Sequence, residues 1–346
     1  MSDMMMQITL ARRPVGAPVA EDFKLVSGPV PVPGEGEILV AVKYMSLDPY
    51  MRGRMDDAKS YAAPVPIGGV MEGGAVGEVL ASNDKAFKPG DIAFGMFGWA
   101  THGVAKAREC RRLDPAHGPI TAALGVLGMP GFTGWYGLTE LGRPKAGETV
   151  VVAAATGPVG SMVGQIAKQR GLRAVGIAGG AKKCALAVEK FGFDACIDHH
   201  AFDDARSLRK ALAAECPKGI DIYFENVGGK VFEAVLPMMN TFGRIPVCGM
   251  ISGYNQGSLG GVEAAGPDRL PMLWRSILVK QMAVNGFIIS NHFDRYPAFL
   301  GEVGPLVAAG KIAVQEDIAE GLENAPSAFI GMLEGRNFGK QLVKVG

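Results

Sequence analysis

The sequence predicts an α/β chain: a doubly wound parallel sheet preceded by a second, β-rich domain. Three observations predict this. The apolar run Thr149-Val150-Val151-Val152 leads through a glycine turn into a segment with helical spacing. Further strand-like runs alternate with helical patterns up to about Gly310, as a parallel sheet with crossover helices requires. Before that, short strands separated by Gly and Pro suggest a small barrel.

The elements follow in order. Residues from Gln7 to about Ala123 read as β-rich. Ile38–Val42 is expected as a strand entered from the turn Pro33-Gly34-Glu35-Gly36, and Gly74–Leu80 as another. Lys88-Pro89-Gly90-Asp91 is a turn into the strand Ile92–Gly95. Thr133–Leu141 reads as helical. Six strands are then expected at Thr149–Ala154, Ala174–Ala178, Cys196–Asp198, Ile220–Glu225, Arg244–Cys248 and Ala283–Ile289. The helices between them include Lys182–Phe191, Ser207–Cys216 and Val231–Met239. The tail ending GKQLVKVG is β-like and is expected to return to the first domain. The division is therefore 1–125 plus about 311–346 for one domain and 126–310 for the other.

With 346 residues, 48% of them hydrophobic, the chain can bury two sizeable cores. Its 35 basic and 34 acidic residues nearly cancel, which removes the basic field expected for nucleic acid or an anionic membrane. Neither a secretory h-region nor an apolar run of membrane-spanning length occurs, so a cytoplasmic protein is expected. The five cysteines are scattered without a C-x-x-C pair, and the five histidines form no H-E-x-x-H pattern. His199 and His200 are adjacent, and on a strand they would point to opposite faces. No metal is expected. His102 and His117 sit in loop-like stretches and receive no role. Asp48, before Pro49, reads as a turn former.

Ala153–Gly171, AAATGPVGSMVGQIAKQRG, carries the most chemistry. It has the spacing A-x-x-G-x-x-G, with Ala154 in the first glycine position and Gly157 and Gly160 following. Glycine lets the backbone approach a diphosphate and lets the helix pack closely on the strand. The N–H groups at the helix start then face the anion. Strand before and helix after mark a dinucleotide site. A site for NAD usually carries Asp or Glu at the end of the second strand, to accept from the ribose 2′-OH. Here that strand ends GIAGGAKK, with no carboxylate until Glu189, and Lys182 and Lys183 open the next helix. Lysines there oppose the helix dipole unless an anion sits beside them. The 2′-phosphate of NADP is such an anion.

Blocks along the whole chain resemble one family. They are SLDPYMRGRMD from Ser46, IGGVMEGG from Ile67, GVLGMPGFTGWYGL from Gly125, AAATGPVGSMVGQIAK from Ala153 and GIDIYFENVGGKVFEAVLP from Gly219. GRIPVCGMISGYN from Gly243, GFIIS from Gly286 and GLENAPSAFIGMLEGRNFGKQLVKV from Gly321 continue the series. The chain resembles the zinc-independent medium-chain dehydrogenases/reductases, in the prostaglandin reductase/leukotriene 12-hydroxydehydrogenase group. Within that group it is most similar to the bacterial NADPH-dependent curcumin reductases and plant 2-alkenal reductases. The resemblance implies a GroES-like domain, a Rossmann domain, and NADPH-dependent reduction of a C=C bond conjugated to a carbonyl. It implies that Gly157, Pro158, Val159 and Gly160 hold the diphosphate and Lys183 the 2′-phosphate. Asn226, the loop Cys248-Gly249-Met250-Ile251-Ser252 up to Tyr254, the strand Phe287-Ile288-Ile289 and Asn337 would line the rest of the cofactor, with Thr133 near the nicotinamide. Two positions depart from it. Asp198-His199 stands where many relatives carry Asn-Tyr, so His199 takes the place of a phosphate-touching tyrosine. Ser290 replaces a tyrosine after the GFII strand.

Reduction of an enone moves negative charge onto the carbonyl oxygen, so that oxygen needs a donor. Without metal ligands, hydroxyls must serve. Tyr50 in DPYMR and Tyr254 in SGYN are the candidates, since tyrosine stays protonated at neutral pH. Met51 and Met129 lie beside the same motifs and are expected to shape an apolar substrate pocket, with core filler as the plainer alternative. The expected activity is an enone/alkenal reductase. A quinone or carbonyl reductase on the same scaffold, or a non-catalytic NADPH-binding protein, are the alternatives. A homodimer through the Rossmann domain is expected, with Ala283–Ile289 pairing across a two-fold axis.

Overall fold

The computed structural model describes residues 4–58, 60–115, 118–256 and 269–346. The chain divides into two compact units. Among the described residues, one comprises 4–128, Tyr254 to Gln256 and 316–346; the other comprises 129–253 and 269–315. His117 and part of the Met250-to-Asp268 loop lie outside the described residues.

The first unit opens with a hairpin-like pair, β1 (Met4–Leu10) and β2 (Phe23–Pro29), antiparallel from Met4↔Pro29 to Leu10↔Phe23. Then follow β3 (Glu37–Ser46), β4 (Ala75–Ser82), β5 (Ile92–Gly95), β6 (His102–Lys106) and β7 (Arg111–Leu113). The short helix α1 (Tyr50–Arg54) lies between β3 and β4. β3 pairs with both β4 and β6, so its central residues Ile38, Val40 and Val42 are buried. Gly77 on β4 lets the two backbones meet: a Cβ there would lie 2.0 Å from the Ala41 carbonyl oxygen.

The second unit is the parallel sheet. Its helix α2 (Met129–Tyr136) continues as a π-helix over Gly137–Gly142, and together these take the place of the expected helix Thr133–Leu141. The strands are β8 (Thr149–Ala153), β9 (Arg173–Ala178), β10 (Ala195–Asp198), β11 (Ile220–Phe224), β12 (Met239–Val247) and β13 (Ala283–Gly286). The helices are α3 (Pro158–Gln169), α4 (Ala181–Glu189), α5 (Ala205–Glu215), α6 (Gly229–Val235), α7 (Leu270–Lys280) and α8 (Tyr296–Ala308). The strand order is β10-β9-β8-β11-β12-β13, with every pairing parallel. Strand order therefore reverses between β8 and β11, where doubly wound sheets open a crevice at their carboxyl ends. Val150, Val151 and Val152 are all buried, as expected of a strand covered by helices on both faces.

In the parallel sheet two strand boundaries differ from the sequence expectation by more than one residue. β12 begins at Met239, not Arg244, because the helix before it ends at Val235 and a 3-10 turn covers Leu236–Met238. β13 ends at Gly286, so Phe287, Ile288 and Ile289 are not strand residues. Gly286 pairs with Val247, the last residue of β12, and beyond it no partner backbone continues the ladder.

The tail adds β14 (Glu316–Glu320), α9 (Ala325–Leu333) and β15 (Lys340–Lys344) to the first unit. β15 runs antiparallel to β3, with Leu342 opposite Ser46. Phe329 of α9 packs edge-on against Trp99 with centroids 5.5 Å apart, while Phe23 stacks on Trp99 at 5.7 Å. The tail thus completes the core of the N-terminal domain. Among the described residues no helix is long and apolar enough to cross a membrane.

Candidate functional site

The glycine turn joins β8 to α3 at the point where strand order reverses. Ala154 takes φ +52°, the left-handed region that favours glycine, so this first motif position retains a glycine-like backbone without the glycine. Gly157 caps α3 with an ordinary extended backbone, and its N–H donates to the Ala154 carbonyl at 3.0 Å. Pro158 follows at the first helical position, where its missing N–H costs nothing. The first-turn N–H groups of Val159 and Gly160 have no acceptor within the helix. The two glycines differ in what they require. A Cβ at Gly160 would lie 2.3 Å from the Ala154 oxygen and 2.9 Å from Ala155 Cα, whereas one at Gly157 would meet only the Ala154 oxygen, at 3.4 Å. Gly160 is the residue that lets α3 sit down on the strand end.

Asn226 closes the other side of the reversal point. Its Nδ2 donates to the Ala153 carbonyl at 2.8 Å and so ties the end of β11 to the end of β8. Beside it Glu225 is only 3% exposed and accepts from the N–H groups of Val227 at 2.6 Å and Gly228 at 2.8 Å. Burial raises its pKa against the pull of those donors. The Tyr223 hydroxyl lies next to this carboxylate but reaches no partner at hydrogen-bonding geometry. Cys248 and Gly249 N–H both donate to the Glu225 carbonyl, Ile251 N–H to Asn226, and Ser252 N–H to Val227. The predicted loop Cys248–Ser252 is therefore knitted onto the Asn226 loop. Met250 is exposed within it, and burial pushes the Cys248 thiol up to about 12. Glu225 is the residue that sequence reasoning missed.

Thr133 lies on α2, buried, with its hydroxyl donating to the Met129 carbonyl at 2.7 Å and lying 3.6 Å from the Met129 sulfur. α2 approaches α3 at Gly134, where a Cβ would lie 2.7 Å from the Val159 oxygen. Phe287 packs against Tyr136 of α2 with centroids 5.7 Å apart, half-buried like Ile288 and Ile289.

Lys183 sits in the first turn of α4, capped by Gly180 at φ +94°. The Asp198 carboxylate holds this corner by accepting from Gly180 N–H at 2.8 Å and His200 N–H at 2.9 Å. The segment after β9 itself carries no acid before Glu189, so Asp198 of β10 supplies the corner's carboxylate; Gly179 leaves room for the imidazoles, where a Cβ would lie 2.7 Å from His200 and 3.4 Å from His199. His199 and His200 are not on a strand. They form a 3-10 turn, His199–Ala201, and their rings meet edge to face at 4.3 Å, correcting the opposed arrangement expected of a strand. Burial first, and then the positive charges of His200 and Lys230, push the His199 pKa down to about 4. The imidazole is therefore neutral near pH 7 in the cofactor-free protein, with one ring nitrogen still a donor and the other an acceptor. Lys230 is fixed by donating to the carbonyls of His199 and Phe202. Among the described residues no three His, Cys, Asp or Glu side chains gather as a metal would need.

In the first unit Tyr50 opens α1. Burial, then the charges of Asp48 and Glu72, push its pKa up, so its hydroxyl stays protonated. The Arg54 guanidinium lies over its ring at 5.6 Å. The segment before Tyr50 is fixed by a buried ion pair: Lys340 Nζ lies 3.0 Å from Asp48 and also donates to the carbonyls of Leu47 and Gln341. Ser46 Oγ donates to the other Asp48 oxygen. Asp48 is thus more than a turn former. Met51 is fully buried in the core of this unit, against Trp99 and the backbone at Gly73, so it packs rather than presenting a surface to a pocket. Tyr254 is half-buried in the 3-10 segment Ile251–Gln256 and groups with this unit. Asn337 donates to the Gly339 carbonyl, lining a shallow groove with Asp317, Arg336 and Gln341.

A family profile described as the N-terminal domain of oxidoreductases matches residues 6–113, and one described as zinc-binding dehydrogenase matches 158–303. The chain is 53% identical to an NADPH-dependent curcumin reductase of Escherichia coli over 337 residues, covering 97% of this chain and 95% of that protein. The chain belongs to the medium-chain dehydrogenase/reductase family. A 2-alkenal reductase (NADP(+)-dependent) of Nicotiana tabacum is 40% identical, covering 98% of this chain and 97% of its own. The crystal structure of CurA from Vibrio vulnificus in complex with NADPH superposes with a TM-score of 0.92 at 51% identity, covering 99% of both chains. The fold is therefore that of this family, a β-rich N-terminal domain and a Rossmann domain.

Proposed function

We propose that this chain is an NADPH-dependent reductase of the carbon–carbon double bond in α,β-unsaturated ketones and aldehydes. The single observation that carries the substrate class is the end-to-end likeness to curcumin and 2-alkenal reductases. The dinucleotide fits the chain's own residues. Gly160 lets α3 start close against the strand end, Val159 and Gly160 offer N–H donors there, and Lys183 opens the helix after a strand end that carries no NAD-selective acid. Asn226, the Cys248–Ser252 loop, Thr133, the Phe287–Ile289 segment and Asn337 would hold the remainder. NADPH, when bound, supplies the hydride.

The protein's share is orientation and charge. Hydride addition at the β-carbon of an enone places negative charge on the carbonyl oxygen, and a preorganised donor lowers that barrier. Tyr50 and Tyr254 are assigned as donors. The raised pKa of Tyr50 suits it to hydrogen bonding and makes it a poor general acid, so solvent is the better source of the α-carbon proton. Met129, with its sulfur beside Thr133, contributes apolar surface for the substrate. We infer that no zinc takes part and that the chain forms a homodimer. The exposed edge strand β13 and the exposed Trp274 and Leu278 of α7, 65% and 78% exposed, support the second inference. Sedimentation showing only monomer at micromolar concentration would remove it.

The test is turnover of curcumin, 2-alkenals, cyclic enones and quinones with NADPH, before and after prolonged chelation. Saturated carbonyl products at an unchanged rate are expected. Allylic alcohols, turnover confined to quinones, or activity lost to the chelator and restored by zinc would overturn the corresponding part of the reading.

A further inference from the structure

We propose that Cys184 and Cys196 are a reversible modification site, joined as a disulfide by reaction with a small-molecule disulfide. Cys196 lies on β10 opposite Gly176 of β9, and Gly176 has no side chain to separate them: a Cβ there would lie 3.1 Å from the Cys196 sulfur. Cys184 is the fourth residue of α4, the helix that follows β9 and packs on β10. Its thiol is near enough to the Cys196 thiol and to the backbone of Ala178 for both to act on its ionisation. Both residues are half-buried, so one thiol of the pair is within reach of a small oxidant. The sequence shows no C-x-x-C, and the pair arises only because α4 packs on β10 and brings residues 184 and 196 together.

The two sulfurs are not equivalent. The neighbouring Cys196 thiol lowers the pKa of Cys184, while the same neighbourhood and burial raise that of Cys196. Cys184 is therefore the attacking thiol, with further help from the dipole of α4. Its thiolate attacks one sulfur of the disulfide R–S–S–R, displacing RS⁻, which takes up a proton. Cys196 then gives up its proton and attacks the Cys184 sulfur, displacing the second RSH. Two protein thiols are oxidised and one small disulfide is reduced to two thiols.

The bond would reach the cofactor corner. Closing the sulfurs to about 2.05 Å draws the start of α4 toward β10. Lys183 directly precedes Cys184, and Asp198 and His199 follow Cys196 by two and three residues. Oxidation is expected to weaken NADPH binding through displacement of Lys183. This second effect rests on the assignment of Lys183 to the 2′-phosphate, whereas the disulfide itself does not.

The experiment incubates the purified full chain with oxidised glutathione, quenches with acid, and counts free thiols after denaturation. The count is expected to fall from five to three (5 − 2), with a linked Cys184–Cys196 peptide in the digest and full recovery in dithiothreitol. A digest without that peptide, with glutathione left on Cys184 or thiols lost only at Cys110, Cys216 or Cys248, overturns the proposal. In the same samples the KM for NADPH should rise about threefold or more, since displacements of about 1 Å carry large kinetic effects. It should not rise in Cys184→Ser treated alike. A linked peptide with unchanged KM refutes the coupling to the cofactor corner while the disulfide stands.

Discussion

Replacing Gly160 by Ala, beside the same change at Gly157, separates the two glycines of one motif. The added methyl at 160 would sit 2.3 Å from the Ala154 carbonyl oxygen and 2.9 Å from two further backbone atoms, Ala154 C and Ala155 Cα. None of these is a flexible side-chain end. Ordinary contact needs roughly 3.5 Å, so α3 or the turn must shift by about 1 Å. Overpacking of this kind costs about 1–3 kcal/mol. The displaced N–H groups of Val159 and Gly160 should weaken NADPH binding by about tenfold or more, on the scale of a 1 Å misplacement. At Gly157 the methyl meets only one atom, at 3.4 Å, and φ is −69°, which any residue adopts. A weaker N-cap there opposes a less flexible unfolded chain, so the change in folding stability should stay within about 1 kcal/mol. Urea unfolding gives the stabilities and a fluorescence titration gives the NADPH affinity of Gly160→Ala. Equal stability losses at the two positions, or Gly160→Ala binding NADPH as wild type, would refute the steric reasoning.

Three further outcomes are expected. Lys183→Ala should weaken NADPH binding by about 1.5–3 kcal/mol, the worth of a charge-assisted hydrogen bond, with NADH binding unchanged; equal catalytic efficiency with both cofactors in the wild type would remove the basis for this. Tyr50→Phe or Tyr254→Phe should lower kcat/KM by about 10-fold to 1,000-fold with NADPH affinity much less affected, and near-wild-type kinetics in the singles and the double would reject a chemical role for both hydroxyls. His199 should titrate near 4 in the free protein, followed through its imidazole NMR signals, and a midpoint near 6.5 would contradict the buried, cation-flanked environment. The sign follows from linkage. The unfolded chain takes up this proton first as pH falls, so the stability that the neutral imidazole contributes is lost between about 6.5 and about 4.

The sequence made the parallel sheet legible because strands buried on both faces read as near-continuous apolar runs, as residues 150–153 and 222–224 do. Local spacing likewise exposed the glycine turn, whereas Asn226 was implied by the family resemblance of the FENVGG block. What stayed hidden depends partly on contacts distant in the chain and partly on local backbone geometry that the sequence does not mark. Asp48 and Lys340 are 292 residues apart, and nothing local marks them as a buried pair. Glu225 reads as the polar end of a strand, and only the fold shows its carboxylate accepting from its own loop. Phe287–Ile289 is apolar enough to prolong β13, but its partner strand stops at Val247. The two histidines were legible as residues but not as neighbours, because their geometry follows from the 3-10 turn after β10.

The central claim is hydride delivery to a conjugated carbon–carbon bond. Turnover of an enone with NADPH carrying deuterium at the transferred position, followed by NMR of the product, tests it most directly. The account predicts a saturated ketone with the deuterium on the former β-carbon and an exchangeable solvent proton at the α-carbon. Deuterium on the carbonyl carbon of an allylic alcohol would contradict it.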